Sequence, residues 1–195
     1  MAREPAGAAL LRPELTEAVV DAVFAELAEV GYGRLSMQKV AARAGVGKSA
    51  LYRRWPGKQE MVSDVLSRLG VPDDPPPDTG DLAEDLRLLV RDVRDWLTHP
   101  RLRGIAPDLL AEVGRNPGLA AAFRDRLAGP RRDRVRPALA AAVARGEIAD
   151  DPTTVEVVTD VLGSAPYWRL TVAGEDVDDR YLDRLVDVLV GGLRP

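Results

Sequence analysis

The sequence predicts an all-α protein, with an N-terminal three-helix helix-turn-helix domain followed by a larger helical domain. Two observations predict this fold class. Apolar residues recur at helical spacing along almost the whole chain, and no segment shows the period-two alternation typical of a strand. Residues 70–80, GVPDDPPPDTG, change abruptly to proline, aspartate and glycine, which favour neither helix nor core. We therefore predict domains at 10–70 and 81–195, joined by a Pro/Asp-rich linker at 71–80.

The first four helices are predicted from caps, stops and apolar stripes. Ser36 is a predicted N-cap, and Gly31 and Gly45 are predicted helix stops. Pro56 ends the third helix because proline cannot continue one. The second and third helices form a predicted helix-turn-helix at 36–55. The four helices are expected to run from about Pro13 to Gly31, from Met37 to Gly45, over roughly two turns from Gly47 to Trp55, and from Lys58 onward.

The helices beyond the linker are bounded by capping and breaking residues. Pro107 interrupts the segment 102–115, and Gly129–Pro130 is predicted to kink the run that reaches residue 146. His99, before Pro100, is predicted to cap a helix end and not to act in catalysis. Helix starts are predicted at Asp81, Asn116–Pro117, Asp151–Pro152 and Asp178.

Composition excludes several kinds of site. The 195 residues are 46% hydrophobic, enough to bury a sizeable core. There is no cysteine, which excludes disulfides, thiolate nucleophiles and cysteine-ligated zinc, and the single His99 excludes multi-histidine metal sites. No apolar run approaches the roughly 20 residues that cross a bilayer. We therefore expect no metal, no cofactor and no membrane association, and a cytoplasmic location.

Positive charge is concentrated in one short part of an acidic chain. Between Gly31 and Glu60 there are seven basic residues and one acid, a local net charge of +6. Since the whole chain carries −4, the remaining residues carry −10. A basic region on an acidic protein attracts phosphate at one face only, which favours DNA binding. This basic cluster comprises Arg34, Lys39, Arg43, Lys48, Arg53, Arg54 and Lys58.

The short third helix is predicted to have a packing face and a reading face. At 100° per residue, Lys48, Ser49, Tyr52 and Arg53 fall in one sector and Leu51 and Trp55 on the other side. A recognition helix in the major groove needs this division, because its back is anchored while its front contacts base edges. Gly47 and Ser49, small residues at the helix start, let backbone amides approach a phosphate.

The segment LSMQKVAARAGVGKSALYRRWPGKQEMV resembles the N-terminal domain of TetR-family transcriptional regulators, through its AGV turn, LY pair, aromatic residue and lysine. The resemblance covers roughly residues 13–69. It implies that Arg53 stands where the family often has histidine, so base preference does not carry over, and that Arg54 is a less certain contact. It implies a DNA-contacting set of Ser36, Gln38, Gly47, Lys48, Ser49, Tyr52, Arg53 and Lys58, with Tyr52 and Lys58 mainly on phosphates.

For the C-terminal domain the resemblance implies ligand sensing among the central helices and homodimerisation through the last two helices. The implied partners are a double-stranded DNA operator, a second copy of the chain and a small-molecule effector. Each apolar candidate is more often ordinary core than a ligand contact. The candidates for a cavity lining are Trp96, Leu109, Leu110, Phe123, Leu127, Leu162, Tyr167 and Trp168.

We interpret the chain as a sequence-specific transcriptional regulator, a ligand-responsive repressor acting as a homodimer on a near-palindromic operator, and not as an enzyme. Two alternatives remain open: a dimeric all-α scaffold for a protein partner, and a small all-α enzyme that uses carboxylates. The basic run Arg131–Arg136 is expected to be a solvated helix face and not a second nucleic-acid patch, because Asp125 and Asp133 lie beside it.

Overall fold

The structure, a computed structural model, describes residues 13–193, with the side chains of residues 17–68 and 70–193. Over this range it contains helices and connecting turns and no strand, which confirms the predicted all-α class. None of its helices is both long and apolar enough to span a membrane. The helices are α1 (Pro13–Arg34), α2 (Met37–Arg43), α3 (Lys48–Arg54), α4 (Lys58–Gly70), α5 (Leu82–Thr98), α6 (Pro100–Arg103), α7 (Ala106–Arg115), α8 (Pro117–Phe123), α9 (Gly129–Ala144), α10 (Pro152–Tyr167) and α11 (Asp179–Leu193). Residues 10–12 and 194–195 of the two predicted domains lie outside the described residues.

The first helix bends where the sequence predicts its stop. Gly31 has a left-handed φ of 71°, and one further helical turn follows it to Arg34. The bend turns the Tyr32 amide outward from the helix, and that N–H donates to Asp108 Oδ2 on α7 at 3.1 Å. A side chain at Gly31 would meet the same carboxylate oxygen at 3.0 Å. The end of α1 is therefore fixed to a helix from beyond the linker.

Two apolar clusters form the interior, and the first crosses the linker. It contains the buried faces of α1 to α4 together with Leu102, Ile105, Leu109 and Leu119 from α6 to α8 and their connections. The second combines α5, α9, α10 and α11. Packing therefore joins α6, α7 and α8 to the N-terminal helices, whereas the composition alone places them wholly in the second domain.

The linker has no helix but is held by specific contacts. The Arg134 guanidinium on α9 donates to the carbonyl oxygens of Pro72, at 3.4 Å, and Asp74. Thr79 donates from both its backbone N–H and its hydroxyl to Asp85 Oδ1, each at 2.8 Å. Asp85 is fully buried, so these bonds satisfy one oxygen of an internal carboxylate. The linker is thus fixed against α5 and α9.

Most of the predicted caps occur, but the Ser36 side chain makes no cap bond to the backbone of α2, and the break predicted at Gly129–Pro130 is absent. Asp81 accepts from the Glu84 N–H at 2.8 Å, while the His99 ring accepts from the Arg101 N–H at 3.2 Å and so caps the start of α6. At Gly129–Pro130 the chain has no break, because a π-helical turn over Arg124–Ala128 leads directly into α9. A second π-helical turn, Trp168–Val172, extends α10.

The end of α4 lies against the C-terminal helices with no spare volume. A β-carbon at Gly70 would lie 2.5 Å from Leu127 Cδ1 and 2.8 Å from Trp96 Nε1. Leu127 is itself buried, so it cannot simply move aside.

We expect Gly70→Ala to destabilise the protein by about 1–3 kcal/mol, because overpacking outweighs the better helix propensity of alanine. The measurement is chemical denaturation followed by circular dichroism. Gly114→Ala is the matched control, since Gly114 lies in α7 with nothing within 4 Å of an added β-carbon. That control should be neutral or stabilised by up to ~1 kcal/mol. Equal stability of the two variants would contradict the close contact.

Candidate functional site

The third helix is anchored by its back face. Leu51 and Trp55 are buried against the first apolar cluster, as the sector argument expects. The Trp55 indole N–H donates to Asp64 Oδ2 on α4 at 3.0 Å. The turn before α3 is made possible by Gly45, whose φ of 67° is costly for other residues. With its back fixed in this way, α3 presents a rigid front to solvent.

The front of α3 and the start of α2 form one exposed polar surface. Ser36 occupies the extended N-cap position of α2, but its hydroxyl donates to Gln38 Oε1 at 3.0 Å and does not bond the helix backbone. The Gln38 amide then donates to the Tyr52 hydroxyl at 3.2 Å. These bonds orient Tyr52 at the joint of the two helices. Gln38, Gly47, Lys48, Ser49, Tyr52 and Arg53 are exposed, and Ser36 and Lys58 are half-buried.

The basic cluster divides into internally engaged and available cations. Arg43 contacts both Glu26 and Glu29 on α1, and Lys39 lies 3.8 Å from Glu26. Within residues 17–68 and 70–193, the side chains of Lys48 and Arg53 make no ion pair or hydrogen bond. The two available cations therefore both lie on the front of α3. Sequence reasoning missed Glu26 because it precedes the basic cluster on another helix.

Lys58 has a structural role at the end of α1. Its ammonium donates to the carbonyl oxygens of Tyr32 and Gly33, both at 3.0 Å, and lies 4.6 Å from the centroid of the Tyr32 ring. Burial, reinforced by Glu112 and Glu60, raises the pKa of Tyr32 to about 12, so the phenol under Lys58 is neutral. An ammonium has three N–H donors. Two are used here, which leaves one for a phosphate.

A cavity of about 330 Å³ lies among α5, α7, α9, α10 and the first π-helical turn. Trp168 is not in its lining: it begins the second π-helical turn and is 63% exposed. One residue beyond the lining Tyr167, it points about 100° away around the helix. The other candidates all line the cavity, namely Trp96, Leu109, Leu110, Phe123, Leu127, Leu162 and Tyr167.

The basic run on α9 is only partly the solvated face that the sequence predicts, because Arg136 is exposed but the other three arginines are buried or half-buried. Arg131, Arg132 and Arg134 line the cavity, and Arg134 is buried. Burial lowers the pKa of Arg131 to about 10, against the opposing effect of Asp92. Burial also raises the pKa of Asp92, partly offset by Arg134, whose Nη2 lies 3.4 Å from Asp92 Oδ2. The neighbouring acids Asp125 and Asp133 could not indicate that Arg131, Arg132 and Arg134 line the cavity, because the orientation of α9 depends on tertiary packing.

Comparison with known families identifies the fold. Residues 19–65 match the family of bacterial regulatory proteins called tetR, and residues 76–189 match the tetracyclin repressor-like C-terminal domain. The chain belongs to the TetR family. This TetR family member is therefore a DNA-binding transcriptional regulator with a helix-turn-helix, in a family whose proteins bind DNA operators and act as dimers with small-molecule effectors.

Relatives and solved structures of this TetR family protein match along most of its length. The DNA-binding transcriptional repressor TetR of Mycobacteroides abscessus is 35% identical, over 85% of this chain and 86% of the relative. The uncharacterized HTH-type transcriptional regulator YdeS of Bacillus subtilis is 27% identical, over 87% and 85%. The crystal structure of the TetR family transcription regulator SCO0332 has a TM-score of 0.68 and 31% identity, covering 93% of this chain and all of that one.

We expect Arg53→Ala to relax sequence preference, because Arg53 is an available cation on the front of α3. The loss should be about 1–3 kcal/mol on an operator duplex selected from a random library and much smaller on a scrambled duplex. Lys58→Ala is the contrasting variant: it should weaken both duplexes alike and also lower the melting temperature, since two carbonyls lose their donor. Fluorescence anisotropy measures both affinities. Equal losses on both duplexes for Arg53→Ala would remove it from base recognition.

Proposed function

We propose that this protein is a homodimeric, ligand-responsive repressor of the cytoplasm that binds a near-palindromic operator through α2 and α3 and releases it when an effector enters the cavity. The observation that carries the proposal is that the cavity wall and the core of the DNA-binding part share side chains. Leu102 and Leu109 line the cavity and belong to the first apolar cluster with α1 to α4.

The route from cavity to recognition helix has a second branch through α4. Trp96 and Leu127 line the cavity and also contact the α4 end at Gly70. On the opposite side, Trp55 at the end of α3 bonds Asp64 of α4. A ligand that favours a different packing of the cavity wall therefore changes the preferred position of α4 and α3. Its effect on operator affinity equals its differential binding to the two arrangements.

Exposed apolar residues on the last two helices support the proposed dimer interface. Val157 on α10 is 49% exposed and Val188 on α11 is 58% exposed. A two-fold axis would bring the same patch of each copy together, which buries these residues from both sides. Dimers of helix-turn-helix proteins place two recognition helices about 34 Å apart, the repeat of one turn of DNA.

Family membership favours this function over both alternatives. The two available cations on the anchored front of α3 fit a DNA duplex, because its backbone carries the opposite charge. Several carboxylates of the chain have structural roles: Asp81 and Asp151 cap helices, and Asp179 and Asp187 pair with Arg94 and Arg87 between α5 and α11. The family consists of transcriptional regulators, which are typically not enzymes.

We expect the protein to bind one selected operator far more tightly than random duplex, with a steep dependence on salt, since phosphate contacts release counterions. Electrophoretic mobility shifts at several salt concentrations measure this. Leu109→Trp, which fills the cavity, should alter operator affinity without touching DNA. Absence of sequence preference would contradict the regulator, and unchanged operator affinity in a folded Leu109→Trp protein would contradict the coupling.

We expect Val188→Asp to shift the protein from dimer to monomer, because two like charges would face each other near the two-fold axis. Light scattering coupled to size exclusion gives the mass. The matched control is Ala140→Asp, which adds the same charge to an exposed position of α9. A dimer that survives Val188→Asp would place the interface elsewhere.

A further inference from the structure

The cavity holds buried cationic groups that no protein acceptor satisfies. The Nε atoms of Arg131 and Arg132 are both buried and have no hydrogen-bond partner among the described residues. The Arg131 guanidinium lies over the Trp96 ring, 4.9 Å from its centroid. A ring face attracts a cation but accepts no directed N–H bond of normal strength. Both arginines therefore line the cavity, and each has one buried N–H donor without an acceptor in the part of the chain that the structure describes.

The acids near these arginines do not complete the pairing. Asp92 is bound by Arg134, which in turn is held by the linker carbonyls of Pro72 and Asp74. Asp160, the other acid of the lining, is exposed on α10 and makes no ion pair in the part of the chain that the structure describes. Three arginines thus face two acids in the lining, a net positive wall.

The rest of the cavity is apolar and of limited size. Its volume is about 330 Å³. The apolar part of the wall is made of side chains such as Leu89, Val93, Leu110, Phe123 and Leu162. A fully polar ligand would lose hydration there without compensation. An apolar body joined to one acceptor group matches both parts of the wall.

We propose that the effector is an amphipathic organic carboxylate, whose apolar chain fills the cavity and whose anionic group accepts hydrogen bonds from Arg131 and Arg132. This assignment of ligand class rests on the proposed function of the cavity as an effector site. An anion supplies the acceptor that the buried guanidinium lacks, and a charged hydrogen bond in a desolvated site is stronger than a neutral one. Burial lowers the pKa of Arg131 by more than the Asp92 carboxylate raises it.

The test compares decanoate, decanol and decylamine, all below their micelle-forming concentrations, by isothermal titration calorimetry on the full-length protein without DNA. We expect decanoate to bind at least about tenfold more tightly than decanol, the least that a charge-assisted hydrogen bond provides. Decylamine should bind most weakly. This comparison requires no variant. Decanol binding as tightly as decanoate, or no binding of decanoate, would overturn the carboxylate class.

Variants of α9 localise the anionic group. Arg131→Gln should remove most of the advantage of decanoate over decanol, since only Arg132 then donates to the carboxylate, while Arg131→Lys should keep more of that advantage. The matched control is Arg136→Gln, since Arg136 is exposed on the same helix and lies 4.0 Å from Asp133. Circular dichroism verifies folding. A folded Arg131→Gln protein with unchanged decanoate affinity would overturn the assignment.

Operator binding is measured separately, so that failure of the proposed ligand class and failure of the proposed effector function give different results. Decanoate that binds through Arg131 but leaves operator affinity unchanged supports the anion site and contradicts its role as the effector site. Release of the operator by decanol or decylamine, with decanoate ineffective, contradicts the ligand class and supports the ligand-responsive regulator.

Discussion

The contact between the end of α4 and the cavity wall is the constraint on which the two parts of the structure depend. At Gly70 there is no room for a β-carbon, because Trp96 and Leu127 already occupy the space. Trp96 also lines the cavity and lies beneath the Arg131 guanidinium. One aromatic side chain therefore touches the DNA-binding part, the cavity and a buried cation. In a close-packed interior it cannot shift without affecting all three.

Contacts within the protein engage several of the basic side chains in the DNA-binding part. The sequence places seven basic residues between Gly31 and Glu60, but Glu26 and Glu29 hold Arg43, and the carbonyl oxygens of Tyr32 and Gly33 hold Lys58. Among the described side chains of the basic cluster, those of Lys48 and Arg53, on the exposed front of α3, make no ion pair or hydrogen bond. Specific recognition requires this arrangement, because base edges are read only where side chains remain available.

Capping residues, glycines and helical periodicity predicted most of the helices, whereas the orientation of side chains between packed helices could not be predicted from the sequence. The caps at Asp81 and Asp151 and the Gly31 bend depend on a few neighbouring residues, so the sequence suffices for them. The packing face of α3 follows from helical periodicity and the buried Leu51. Helical periodicity does not predict that Arg131, Arg132 and Arg134 line the cavity, because this depends on how α9 packs against α5 and α10. Trp168 lies outside the cavity lining because it is one residue beyond Tyr167 and therefore points about 100° away around the helix.

The linker and the cavity are electrostatically connected through a single carboxylate. Asp92 lies between Arg134, which it contacts at 3.4 Å, and Arg131, whose charge it partly offsets. Arg134 is in turn held by the carbonyl oxygens of Pro72 and Asp74. Asp92 and Arg134 therefore lie between the Arg131 guanidinium and the linker, and the linker residue Pro72 directly follows α4 and its C-cap, Val71. This chain of charged contacts joins the cationic wall of the cavity to the segment that connects the two parts of the chain.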